Sequence, residues 1–274
     1  MIKKIIHCAD IHCRNFQRNE EYLTQLTKFI EKCKEIAEPY DKSEVRIVIC
    51  GDLYHNKNSI TPEVNVMTSS FIRQLQEIAT VICIAGNHDL IVNNTSRKDA
   101  ITALFETACF ENAYLLDYTL EQKSGVVVDD NVTWAVYSIY DSYNRPAIEE
   151  ARNDNPDNKI IGLFHGMIVG CTLHNGFIAE SGVSNSIFDG CDFVIAGDIH
   201  KRQVLKYKGT DIVYSGSLIQ QNYGETISQH GFVVWDLENN THEFVDIDSE
   251  FGMYDIEIND IEEIRKGTEV LKNL

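Results

Sequence analysis

The stretch VRIVICGDLYH, residues 45–55, decides the fold. Its first six residues are apolar except for Arg46, which is typical of a strand that is buried on both faces of a sheet. Gly51, Asp52 and His55 follow directly. Ligands of open α/β sheets bind beyond the carboxyl ends of the strands, so the polar turn after this strand predicts a ligand site.

Four further apolar runs end in the same kind of polar turn. These turns contain Asp10 and His12 after residues 2–7, Asn87, His88 and Asp89 after residues 80–85, His165 after residues 160–164, and Asp198 and His200 after residues 193–196. The tripeptide Asp-Ile-His occurs in two of them, but its surroundings differ, which argues against an internal repeat. We therefore expect the five turns to form the walls of one site.

Strand and helix patterns alternate along the first two-thirds of the chain. Apolar residues recur at helical spacing in residues 20–37, in a segment that begins at Thr61-Pro62, and in residues 98–109. Single helices between strands predict parallel pairing. The later part predicts a hairpin over residues 126–139 and a meander of residues 203–207, 212–214, 231–235 and 242–247. A mixed α/β sandwich of two sheets covered by helices accounts for both halves.

Composition is ordinary for a soluble globular protein, with 274 residues and 43% hydrophobic residues. The chain contains no run of 18 apolar residues, so we expect no membrane partner. The apolar part of the N-terminus is too short for a secretory signal. The eight cysteines include no CxxC pair, which favours reduced thiols and a cytoplasmic location.

The net charge of −18 argues against a surface coated with basic residues for nucleic acid. It leaves room for a local site whose positive charge is a bound cation. Carboxylate, amide and imidazole groups without thiolates suit divalent ions such as Mn²⁺, Fe²⁺ or Zn²⁺. About seven ligands are too many for one tetrahedral ion and suit two ions that share a carboxylate, an arrangement that catalyses phosphoester displacement.

The ordered motifs DIH, GDLYH, GNHD, a lone histidine after a strand, and GDIH resemble those of calcineurin-like metallophosphoesterases. GDLYH and YSGSLIQQNYGE, residues 214–225, resemble segments of the SbcD family, the nuclease half of a double-strand-break repair complex. The resemblance covers about residues 1–247 and implies a four-layer α/β/β/α sandwich of two mixed sheets flanked by helices. We interpret residues 248–274 as an acidic C-terminal extension or the start of a shortened capping domain.

The family resemblance implies a role for each motif residue. Metal ligands would be Asp10, His12 and His200 at a first ion, Asn87, His165 and Asp198 at a second, and Asp52 as the bridge between them. His88 would contact the scissile phosphate and protonate or stabilise the leaving oxygen. Asp89 would orient His88, and His55 would line the phosphate site. Asp198 departs from the family, in which a histidine is usual.

The implied activity is 3′–5′ exonuclease and single-strand endonuclease action on DNA ends. The implied cofactors are two divalent ions, with Mn²⁺ typical and Fe²⁺, Zn²⁺ or Mg²⁺ as alternatives. The implied partners are DNA, an SbcC-type coiled-coil ABC ATPase and a second copy of the chain. The alternatives are a phosphatase or phosphodiesterase for small phosphoesters or phosphoproteins, and a non-catalytic binding subunit that only Asp198 favours.

Four side chains outside the motifs have simpler interpretations. We expect His7 to lie in the core and His174 to be a loop residue. Lys201 and Arg202 are interpreted either as a solvated turn or as a contact with a DNA phosphate.

Overall fold

The computed structural model describes residues 1–91, 94 and 97–254, which build two six-stranded sheets. In the first sheet, the order is β12-β11-β1-β2-β3-β4, with β1 (Lys4–Cys8), β2 (Val45–Cys50), β3 (Thr80–Ile84), β4 (Ala113–Leu115), β11 (Gly231–Asp236) and β12 (Thr241–Asp246). In the second sheet, the order is β5-β6-β7-β8-β10-β9, with β5 (Gly125–Asp129), β6 (Val132–Tyr137), β7 (Lys159–His165), β8 (Phe193–Gly197), β9 (Gln203–Tyr207) and β10 (Thr210–Tyr214).

Helices connect the strands and cover the sheets. They are α1 (Asn19–Ala37), α2 (Pro62–Ile78), α3 (Ala100–Ala108), α4 (Leu116–Thr119) and α5 (Ile148–Asp154), with short 3₁₀ helices at Lys42–Glu44, Ile139–Asp141 and Asn185–Phe188. The Thr61 side chain accepts a hydrogen bond from the Val64 amide at the start of α2, and Pro62 is its first residue. This cap is the one that the Thr-Pro dipeptide predicts.

Apolar residues pack in three layers between four layers of secondary structure. Phe29 and Phe71, on α1 and α2, pack against the outer face of the first sheet. Trp134 and Ile195 are among the residues packed between the two sheets. Phe164 packs with Ile148 and other residues on the outer face of the second sheet. The predicted α/β/β/α sandwich is therefore confirmed.

Parallel pairing within each sheet is confirmed, whereas the predicted meander is wrong. Strands β1 to β4 pair in parallel, and so do β6, β7 and β8. The β9–β10 hairpin joins the second sheet beside β8. The β11–β12 hairpin instead extends the first sheet beside β1. Residues 215–230 cross from one sheet to the other, and strand periodicity cannot reveal which sheet a strand enters.

The structure also places side chains outside the motif turns. His7 is fully buried, and its Nε2 atom lies 3.2 Å from the carbonyl oxygen of Ala196, as expected for a core histidine. All eight cysteines are free thiols, and Cys109 is the exposed one. Within the described ranges, no helix is long and apolar enough to cross a bilayer. Residues 255–274, most of the predicted acidic extension, lie outside the described residues, and the boundary at residue 247 stays a prediction.

Candidate metal centre

The five polar turns meet at one end of the two sheets. Strands β1, β2 and β3 run in parallel in the first sheet, and β7 and β8 run in parallel in the second. Cys50 at the end of β2 contacts the carbonyl oxygen of Phe164 near the end of β7 at 3.2 Å, which joins the two sheets at this point. The structure thus brings the predicted site residues of both sheets together.

The first group of ligand atoms surrounds His12. Its Nε2 atom lies 3.0 Å from the Nε2 atom of His200 and 3.4 Å from Oδ2 of Asp52. Asp10 Oδ1 lies 4.0 Å from the His200 Nε2 atom. Asp10, His12 and His200 each offer one ligand atom within 4.8 Å of the others. We define these three residues with Asp52 as the first cradle.

The second group of ligand atoms surrounds His165. Its Nδ1 atom lies 2.7 Å from the carbonyl oxygen of Cys50 and donates to it, so in the neutral ring Nε2 is the nitrogen that carries a lone pair. That Nε2 atom lies 3.4 Å from Oδ1 of Asp52 and 3.9 Å from Oδ1 of Asp198. The Oδ1 atom of Asn87 and the Nε2 atom of His165 are both buried without a hydrogen-bond partner. We define His165, Asp198 and Asp52 as the second cradle, and Asn87 stays a predicted ligand there.

Both cradles fit divalent ions. Each oxygen of Asp52 faces a different histidine, so one carboxylate serves both cradles. Nitrogen lone pairs that face each other, as in His12 and His200, repel unless a cation or proton lies between them. The nitrogen and oxygen donors suit borderline or hard divalent ions and leave their identity open.

The buried carboxylates of the site also favour the binding of cations. Burial raises the pKa of Asp10 to about 7. Burial alone would lower the pKa of His165, but Asp52, Asp10 and Asp198 raise it well above its usual range. The three carboxylates bring negative charge together at a buried position. Metal ions at the two cradles would supply the compensating positive charge.

Strained backbone accompanies the ligands. Asp10, His12 and Asp52 have φ angles of 54°, 51° and 54°, and Asp198 has a φ of 92°. Few residues other than glycine adopt such angles, although aspartate and histidine tolerate them better than most. Strain of this kind clusters at functional sites, where the surrounding structure maintains it.

Gly86 allows the second and third strand ends to approach each other. A Cβ atom at Gly86 would lie 2.2 Å from Oδ1 of Asp52, and one at Gly51 would lie 2.1 Å from Nδ1 of His165. No real side chain fits at such distances. The glycines that follow these strands are therefore required because ligands pack directly against their backbones.

His88 lies beside the first cradle. Its ring is edge-on to His12, with the centroids 4.7 Å apart, and stacks on His55 at 5.2 Å. Its Nδ1 atom lies 2.9 Å from the carbonyl oxygen of His55 and donates to it, so Nε2 is the atom left to exchange a proton. His55 and His88 thus lie together beside the first cradle, and their roles toward a phosphate stay predictions.

Asp89 takes a different position from the expected one. Its carboxylate accepts hydrogen bonds from the amides of Asp52, Tyr54 and Gly86 at 2.9 Å each. It therefore fixes the turn that carries the bridging carboxylate. The His88 ring is oriented instead by the carbonyl oxygen of His55, because backbone amides surround Asp89 on a tight turn.

Glu225 and His174 were not predicted as parts of the site. The Glu225 side chain is fully buried, and its Oε1 atom accepts a hydrogen bond from Nδ1 of His200 at 2.8 Å. His174 lies in a loop, as predicted, but its Nε2 atom comes within 3.7 Å of the same carboxylate oxygen. Glu225 is the last residue of the YSGSLIQQNYGE segment, so the resemblance of that segment to the SbcD family was the sequence signal that could have identified it.

The two basic residues after the last motif differ in their contacts. Lys201 is exposed. Arg202 forms an ion pair with Asp246, and its guanidinium lies 5.3 Å from the centroid of the Phe244 ring. Because Arg202 already pairs with Asp246, its contacts favour the interpretation as a turn residue over a contact with a DNA phosphate.

Replacement of Asp198 by histidine tests whether Asp198 is a ligand. We expect Asp198→His to shift the affinity ratio of Zn²⁺ to Mn²⁺ by about tenfold toward Zn²⁺, because imidazole is the softer ligand. Histidine tolerates the positive φ at this position. Competition calorimetry with the two ions measures the ratio, with Asp189→His as a control, because Asp189 forms an ion pair with Lys208. An unchanged ratio would show that Asp198 does not bind the ion.

Replacement of Glu225 by glutamine tests its support of His200. Glu225 accepts hydrogen bonds from His200 and Asn222 at one oxygen and from the Gln221 amide at the other. A glutamine must turn its NH₂ group toward one of these donors. We expect the Mn²⁺ affinity to fall by about 10- to 100-fold. Calorimetry measures this affinity, the exposed Glu180→Gln serves as a control, and an unaltered affinity would count against the role.

Comparisons with known proteins give one matching family model and several similar chains. The family model for calcineurin-like phosphoesterases matches residues 3–216. An uncharacterized protein, R555, of Acanthamoeba polyphaga mimivirus is 34% identical over 272 residues, which cover 94% of this chain and 19% of that protein. The SbcD component of the nuclease SbcCD of Staphylococcus saprophyticus is 25% identical over 267 residues, which cover 86% of this chain and 66% of that protein.

A solved structure described as a novel archaeal phosphodiesterase is similar over 88% of this chain and 97% of its own, with 14% identity and a TM-score of 0.40. The present chain spans about a fifth of the mimivirus protein and about two thirds of the staphylococcal protein.

Proposed function

Since this chain belongs to the calcineurin-like phosphoesterase family, we propose that it is a metal-dependent nuclease that cleaves phosphodiester bonds at DNA ends. The observation that carries the proposal is the pair of cradles that share Asp52, with His88 beside them. The similarity to the SbcD component of the nuclease SbcCD favours DNA as the substrate over a small phosphoester.

The residues present determine what the site can do. Two divalent ions held by the cradle residues on either side of Asp52 would supply positive charge to the attacking and leaving oxygens of a phosphoester displacement. His88 can donate a proton from Nε2 to the leaving oxygen, because the His55 carbonyl oxygen holds its Nδ1–H. Asp89 keeps Asp52 in place through the Asp52 amide and two neighbouring amides.

We include Mn²⁺ in the proposal because the donors combine imidazole nitrogens with carboxylate and amide oxygens. We include an SbcC-type ATPase as a partner because the similar staphylococcal protein is one component of SbcCD. The net charge of −18 is consistent with a DNA site whose positive charge comes from bound cations.

Three substrates distinguish the candidate activities. Purified protein with Mn²⁺ is incubated with linear duplex DNA, bis-p-nitrophenyl phosphate and p-nitrophenyl phosphate. The proposal expects cleavage of duplex ends and of the diester, both lost in the presence of a chelator. Preferential hydrolysis of the monoester would instead favour a phosphatase. Absence of DNA cleavage, both alone and with an SbcC-type ATPase and ATP, would refute the nuclease proposal.

A further inference from the structure

Arg14 carries a guanidinium at the edge of the metal centre. Its Nη1 atom donates to the Nε2 atom of His55 at 3.1 Å. The His55 ring stacks on His88 at 5.2 Å and is edge-on to His12, with the centroids 5.4 Å apart. One imidazole ring therefore separates the guanidinium from both the proposed proton donor and the first cradle.

No carboxylate of the described residues forms an ion pair with Arg14. Among the described residues, its side-chain hydrogen bonds are with His55 and Gln221, and no ion pair involves it. Because a guanidinium only donates, the Nε2 atom of His55 must be unprotonated, so both partners are neutral. By contrast, Arg18 pairs with Glu21, and Arg46 pairs with Asp129.

The guanidinium also has unused donors. Arg14 is half-buried, and its Nε atom is buried without a hydrogen-bond partner. A guanidinium that is partly removed from water usually has an anion or several acceptors around it. An anion from solution that binds to the accessible part of the guanidinium, beside His55, would provide the missing charge.

Gln221 holds the guanidinium in place before any ligand binds. Its backbone and side-chain oxygens each accept a hydrogen bond from Nη2 of Arg14 at 3.2 Å. Its own amide donates to the buried Glu225 carboxylate at 2.7 Å, and its side chain donates to the carbonyl oxygen of Ile11 at 3.3 Å. A donor that is fixed in this way loses little entropy when it binds a ligand.

We propose that Arg14 binds a non-bridging oxygen of the phosphate that the enzyme cleaves. The inference rests on the proposed phosphodiester hydrolysis and adds a substrate-binding residue to it. Phosphate oxygens are the anionic acceptors that a guanidinium binds best, often through two parallel hydrogen bonds. Arg14 holds the phosphate beside His55 and His88, where the leaving oxygen meets the His88 ring.

Kinetics on a substrate with a single phosphate tests the inference. We expect Arg14→Gln to raise the KM for bis-p-nitrophenyl phosphate by about 10- to 100-fold, the effect of one charge-assisted contact, with a smaller change in kcat. Arg14→Lys keeps the positive charge but loses the two parallel donors of the guanidinium, so its KM should lie between those of the wild type and Arg14→Gln. Arg18→Gln is the matched control, because Arg18 already has Glu21 as its partner.

A binding measurement separates this inference from the proposed function. Calorimetry with inorganic phosphate and the Mn²⁺-loaded protein should show the same loss of affinity in Arg14→Gln, even for a protein that cleaves no DNA. Failure of DNA cleavage with intact phosphate binding would therefore refute only the nuclease proposal. A KM and a phosphate affinity within twofold of the wild-type values, with a lower melting temperature, would show that Arg14 is structural and overturn the inference.

Discussion

The Asp52→Asn protein is expected to bind no more than one divalent ion per chain and to hydrolyse phosphodiesters about a thousandfold more slowly. Each carboxylate oxygen of Asp52 lies 3.4 Å from the Nε2 atom of a different histidine, His12 or His165. An asparagine keeps one oxygen and replaces the other with an NH₂ group, which cannot bind a cation. Asparagine also adopts the positive φ at this position readily, so the fold should survive.

Metal analysis after equilibrium dialysis against Mn²⁺ measures the number of bound ions. The matched control is Asp211→Asn, because Asp211 lies on β10 and forms an ion pair with Lys206 away from the cradles. Two ions bound to the Asp52→Asn protein would refute the bridging role. Loss of both ions would show that the two cradles fill only together.

Replacement of His88 by alanine also has a large expected effect on the rate, and the effect depends on the leaving group. We expect the rate on DNA to fall by about 10²- to 10⁴-fold, because the alkoxide leaving group needs a proton. Hydrolysis of bis-p-nitrophenyl phosphate should fall much less, because nitrophenolate leaves without one. The backbone amide of His88, which donates to Asp52 at 2.7 Å, is retained in the variant.

Single-turnover rates on both substrates, with saturating Mn²⁺, provide the measurement. His242→Ala is the control, since His242 lies on β12 and packs against Trp235. Equal losses on the two substrates would show that His88 stabilises charge on the phosphate and does not donate the proton. An unchanged metal stoichiometry would confirm that His88 is outside the cradles.

The ends of the buried strands made the candidate site predictable from sequence. In VRIVICGDLYH, an apolar run places Asp52 at a carboxyl strand end, and the structure brings it between His12 and His165. The same logic applies to each of the other four turns. Parallel pairing then follows from the single helices between strands, so both the fold class and the meeting of these residues could be anticipated.

The sheet that β11 joins, the surroundings of Arg14 and the partners of Asp89 depend on contacts between distant residues, which a local sequence pattern does not show. Strand periodicity could not show that β11 joins the first sheet, because the choice depends on the path of residues 215–230. Arg14 belongs to no motif, and the role proposed for it rests on the absence of an ion-pair partner among the described residues. The role of Asp89 was misassigned because its neighbour in sequence, His88, is not its partner in space.

The pairing of β1 with β11 has a consequence for biosynthesis. These strands align Lys4 with Asp236, so β1 borders a strand that is translated long after it. The first sheet therefore stays incomplete until almost the whole described chain has been translated. Closing so long a loop is entropically costly and makes folding slow. Until then the edge of β1 remains open, a surface that chaperones would need to protect from aggregation.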